Sequence, residues 1–129
     1  AEKESAKKYY FCYFGILNLF LIDSETSLLE NRVAIELKKH FFDEVYFYNK
    51  NVEVDFYVPS QECLIQVAYS IANAETKNRE VSSLLKVAKH LNAKRLLIIT
   101  YNEEQTIEVN NNIVEVIPLW KWLLCDKSC

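Results

Sequence analysis

The sequence predicts one α/β domain with a mixed sheet flanked by helices, and three observations carry that expectation. In residues 52–58, Val52, Val54, Phe56 and Val58 alternate with Glu53, Asp55 and Tyr57, the period-two pattern of a half-buried strand. Residues 63–69 are almost wholly apolar apart from Gln66, as in a central strand covered on both faces. A helix-period segment then leads to a second apolar run at 95–100, and strand, helix, strand implies a right-handed parallel unit. At 129 residues, 50% of them hydrophobic, the chain is long enough for one core and too short for two.

Residues 1–8 are charged and polar, the end of a linker or a frayed terminus, and residues 9–129 form the expected domain. The aromatic-rich stretch 9–14 reads as a strand or a buried entry segment. Ser27 and Glu30 have the spacing of a capping box, so a helix is expected from Ser27 to about Lys39, with Leu29, Val33, Leu37 and Phe41 on one stripe. Glu30 lies within that apolar sector. It reads either as a capping carboxylate at the helix N-terminus or as an acid aimed across the sheet.

Residues 45–48 form a short aromatic strand that hairpins onto 52–58 through Asn49, Lys50 and Asn51. Pro59 to Glu62 makes a turn, because Pro cannot donate to a sheet ladder. After the strand at 63–69 and a polar stretch at 73–78, Val81, Leu84, Leu85, Ala88 and Leu91 recur at helical spacing as far as Asn92. The opposite face carries Arg79, Ser82, Ser83, Lys86 and Lys89, which reads as a solvated face or as a phosphate-contacting stripe. Residues 106–109 and 113–117 flank three asparagines as a second hairpin. Pro118 then opens a short helix whose Trp120 and Trp122 read as packing residues rather than a base-stacking platform.

The net charge of −3 gives no global basic field, so nucleic-acid binding would have to rest on a local patch. Four cysteines without a CxxC pair read as buried or free thiols in a reducing compartment, and the CxxxC of Cys125 and Cys129 lacks a second ligand pair for zinc. The apolar segment 9–22, broken by Gly15 and Asn18, is too short to span a bilayer, so a cytoplasmic protein without membrane contact is expected. With no Met and a start at AEKES, the chain reads as a piece of a longer polypeptide or as one with a processed or redesigned terminus. A single glycine rules out GxxxxGK and GxGxxG loops, so there is no ATP site in this chain. His40 and His90 lack a Ser or Cys partner at recognisable spacing, so no hydrolase triad is supported.

A carboxylate early on a helix, Asp55 on a strand and a polar position eleven residues later on the next strand can converge at one sheet edge. That is the make-up of a hard-cation site for Mg²⁺, which runs phosphodiester hydrolysis when a nearby Lys stabilises the developing charge. The segments LLEN (28–31), VDF (54–56) and LIQVAYS (64–70) resemble the three motif segments of the PD-(D/E)xK nuclease fold. They are most similar to the nuclease-like C-terminal domain of bacterial and archaeal AAA-type ATPases. The likeness continues through TKNREVSSLLK (76–86), LLIITYNEE (96–104) and VIPLWKWLL (116–124).

The resemblance implies a restriction-endonuclease-like mixed sheet, with Glu30 as the helix acid and Asp55 as the metal-binding Asp. The family's E-x-K falls on Gln66, Val67 and Ala68, so both chemical positions depart from the pattern. Glu30, Asp55 and Gln66 are then the candidate catalytic and metal residues, with Mg²⁺ held weakly or not at all. Lys77, Arg79 or Lys86 on the following helix are the fallback for the missing Lys. The expectation is a catalytically degenerate module of a larger ATPase that binds nucleic acid or a partner protein, with Arg79, Lys86 and Lys89 as its contact surface. An active Mg²⁺-dependent nuclease and a structural or oligomerisation module are the alternatives.

Overall fold

The computed structural model describes residues 24–125 and Lys127. The expected lead-in at 1–8 and the aromatic segment at 9–14 lie outside the described residues. In chain order the elements are α1 (Ser24–Phe41), β1 (Tyr46–Asn49), β2 (Glu53–Val58), a 3-10 turn (Pro59–Gln61) and β3 (Cys63–Val67). There follow α2 (Ala74–Leu91), β4 (Arg95–Thr100), β5 (Gln105–Val109), β6 (Asn112–Pro118) and α3 (Leu119–Leu124). The strands form one mixed sheet in the order β1-β2-β3-β4-β6-β5. β3, β4 and β6 run parallel, while β1 and β2 on one side and β5 on the other pair antiparallel. The expected mixed α/β sheet flanked by helices is therefore what the chain forms.

Each sheet face buries its own core. Leu29, Val33 and Leu37 of α1 and Trp122 of α3 pack on Val58, Ile65, Leu97 and Ile99. On the other face Val81, Leu84, Val87 and Ala88 of α2 pack on Leu64, Leu96, Ile98 and Val116. Residues of β3 and β4 alternate between these two cores, which is why both strands read as continuous apolar runs. Cys63 is part of the first core, and burial pushes its thiol up to about 12. Cys125 is exposed, and both thiols are free.

Three local expectations are corrected. The chain is already helical at Ser24, so Ser27 is an interior residue, 4% exposed, and cannot cap. α2 begins at Ala74 rather than beyond the polar stretch, because the Asn73 side chain accepts the Thr76 N–H at 3.0 Å as its N-cap; Asn92 closes the helix in the left-handed conformation. The alternation in β2 does not serve one face: Val54 belongs to the α2-side core, Phe56 and Val58 to the α1-side core. A β-bulge causes this switch. Tyr46 pairs with Tyr57 but Tyr48 pairs with Val54, so Asp55 and Phe56 together oppose the single Phe47.

Candidate functional site

The bulge lies at the point where β2 and β3 separate. Their ladder runs from Val58 opposite Cys63 to Phe56 opposite Ile65. Past Ile65 the strands are joined by side chains. Gln66 Oε1 accepts the Asp55 N–H at 3.0 Å, Gln66 Nε2 donates to the Glu53 carbonyl at 3.4 Å, and the Val67 N–H donates to Asp55 Oδ2 at 2.8 Å. Gln66 is only 4% exposed, so these partners are what make its burial tolerable. An amide suits this position because it offers an acceptor to β2's N–H and a donor to β2's C=O, whereas a carboxylate has no donor for the second.

The separation opens a cleft of about 440 Å³ whose lining includes Thr26, Glu30, Asp55, Gln66, Arg79 and Glu80. Glu30 enters from the second turn of α1 and lines the cleft with Asp55, where each carboxyl acts on the other. With α1 extending back to Ser24, Glu30 is the acid aimed across the sheet and not a capping carboxylate. Burial raises the pKa of Glu30, with the Asp55 bond acting against it and the Glu53 charge adding to it. Asp55 is held well above its ordinary value, first by burial and then by the Glu30 charge, against the Val67 N–H. Glu80 is also raised by burial, and Arg79 opposes that rise through an ion pair at 3.6 Å.

Of the sequence candidates, Glu30, Asp55 and Gln66 do come together, with Arg79 on the same cleft. Lys77 is drawn the other way, donating to Gln105 of β5 at 3.3 Å at the far edge of the sheet. Lys86 and Lys89 are exposed on α2 and outside the cleft lining, and Ala68 is buried in the α2-side core. Sequence reasoning misses Glu80. The signal is present, since Glu80 stands four residues before Leu84 and seven before Val87 and so projects from the core-facing side of α2.

The donor set fits a divalent cation poorly. The carboxamide oxygen of Gln66 is engaged with the Asp55 N–H, and Asp55 Oδ2 is engaged with Val67. Among the described residues, no group of three His, Cys, Asp or Glu side chains is disposed to hold a metal ion.

The cleft continues into a second cavity of about 390 Å³ at the C-terminal end of β3, which shares Thr26, Val67, Arg79 and Glu80 and adds Tyr69, Ser70 and Thr76. Comparison with known proteins places the chain only at the level of family. No curated protein matches it, and no solved structure does. The model of a family described as a domain of unknown function (DUF4143) matches residues 25–122, which include both helices of the cleft and the six strands of the described residues, and the chain belongs to that family.

Proposed function

We propose that this domain is a catalytically degenerate PD-(D/E)xK-like module of a larger AAA-type ATPase, and that it binds nucleic acid rather than cutting it. The Gln66 carboxamide, spent at both ends on the backbone of β2, is the observation that carries this reading. An amide in that role closes the sheet where a nuclease of this fold would present an acid. The methyl group of Ala68 and the diversion of Lys77 to Gln105 leave Arg79 as the one basic residue among those lining the cleft. The attachment to an ATPase rests on the ordered sequence likeness of residues 28–124.

The contact surface is the outer face of α2. Arg79, Lys86 and Lys89 stand seven and ten residues apart along it, and all three are exposed. At 1.5 Å per residue they span about 15 Å, enough to follow a phosphate backbone past the mouth of the cleft.

Fluorescence anisotropy with a labelled oligonucleotide at two or more salt concentrations tests the reading. Binding that weakens steeply with salt, with a shallower slope in Arg79→Ala/Lys86→Ala/Lys89→Ala, is expected. Binding to a protein partner that ignores salt would redirect the module to protein recognition. Calorimetric titration of Mn²⁺ into wild type and Asp55→Ala is expected to show no saturable site. Mn²⁺-dependent strand cleavage lost in Asp55→Ala would overturn the degenerate reading in favour of an active nuclease.

A further inference from the structure

The second cavity carries a feature that neither the motif segments nor the basic face of α2 account for. Tyr69, just beyond β3, and Tyr101, just beyond β4, stack with ring centroids 5.0 Å apart and planes 14° from parallel. Tyr101 is nonetheless 56% exposed, so one side of its ring is taken by Tyr69 and much of the rest faces solvent. The position is the carboxyl end of two adjacent parallel strands, where open α/β sheets most often hold ligands.

The loops that bear the two rings are fastened to each other. The Tyr101 N–H donates to the Tyr69 carbonyl at 3.1 Å. Glu103 accepts from the Ser70 hydroxyl at 2.5 Å and from the Ile71 N–H at 2.8 Å. Thr100 Oγ1 in turn donates to the Glu103 carbonyl and accepts the Glu103 N–H, both at 2.8 Å. These bonds fix the pair: Tyr69 packs against the α1-side core, and Tyr101 lies over it at the surface. Such preorganisation lowers the entropy cost of binding a planar group.

We infer that Tyr69 and Tyr101 form a stacking platform for an unpaired base of a single-stranded nucleic acid, an inference that rests on the nucleic-acid reading above. Arg79 links the two features, because it lines the cavity that Tyr69 also lines and begins the exposed basic row toward Lys86 and Lys89. A strand that crosses the carboxyl end of β3 and β4 puts a phosphate on Arg79 and brings a base to the Tyr69–Tyr101 pair, with the rest of its backbone free to follow Lys86 and Lys89. The carboxyls of Glu30, Asp55 and Glu80 keep phosphates out of the deep end of the cleft but do not oppose a neutral base. Trp120, 56% exposed and donating to Asn102 at 3.4 Å, stands beside the same loop as a second ring for a neighbouring base.

The test compares a labelled oligothymidylate with an abasic strand of equal length, in wild type, Tyr101→Ala and Tyr101→Phe. Wild type is expected to bind the base-bearing strand roughly tenfold more tightly. Tyr101→Ala should erase that preference while keeping the salt slope, and Tyr101→Phe should retain it. Equal binding of the two strands by wild type, or a preference unchanged in Tyr101→Ala, overturns the platform and leaves salt-dependent binding along α2 standing. Failure to bind either strand at low salt overturns the nucleic-acid reading itself.

Discussion

Gln66 shows how one buried side chain can take over the work of a sheet ladder. Gln66→Ala removes two hydrogen bonds and leaves the Asp55 N–H unsatisfied. A loss of about 2–4 kcal/mol in urea unfolding is expected from the stranded donor and the cavity together. Asp55 makes the opposite prediction. Its raised pKa means that the folded chain holds a proton which the unfolded chain has released, so stability falls as pH rises from 3.8 through the raised value. Glu30 and Glu80, raised from 4.5, act in the same direction. Asp55→Asn keeps an acceptor for the Val67 N–H and supplies a donor toward Glu30. It is expected to flatten that slope and to raise stability at pH 7, read as a higher urea midpoint that varies less with pH than in wild type. Glu36 works at lower pH. Burial pushes its carboxyl up, but bonds from His40 and Arg32 outweigh that and hold it below 4.5, so its contribution is lost only on further acidification.

At the scale of elements, the helices and hairpins were readable because their signals are local. The β5–β6 hairpin turns through Asn110 and Asn111 at φ 51° and 67°, a pair of left-handed residues that a two-residue turn demands and asparagine tolerates. Asn111→Gly is expected to leave thermal stability within about 0.5 kcal/mol, whereas a β-branched Asn111→Val should cost about 1–2 kcal/mol. Asn73→Ala should cost about 1 kcal/mol by uncapping α2, seen as a lower melting temperature. The β2 bulge was not readable. Val52, Val54, Phe56 and Val58 keep perfect alternation in sequence, and the slip that sends Val54 and Phe56 to different cores exists only in the pairing with β1. The Ser27 and Glu30 pair misled for a related reason, since capping-box spacing has no force inside a helix that is already under way.

For the molecule as a whole, the sheet is a shared floor between two cores, and both have to fail together. Ile98 and Ile99 are adjacent in β4 and fully buried on opposite faces. Ile98→Ala and Ile99→Ala should therefore each cost about 2–5 kcal/mol and lower one common unfolding transition, seen alike by Trp fluorescence and far-ultraviolet circular dichroism. Ile113→Ala, at a side chain 55% exposed, should change stability by less than about 0.5 kcal/mol. Among the described residues no helix is long and apolar enough to cross a membrane.

The sequence by itself determined the mixed α/β fold, the order of its described elements and the meeting of Glu30, Asp55 and Gln66. Periodicity, turn formers and ordered motif segments are properties of neighbours along the chain. Only the tertiary structure decided what those three residues do on meeting. Whether Gln66 offers its oxygen outward or spends it on Asp55 depends on how far β2 and β3 separate. The same holds for Glu80 and for the Tyr69–Tyr101 stack, whose members lie on different elements and face one another only once the parallel strands are in register.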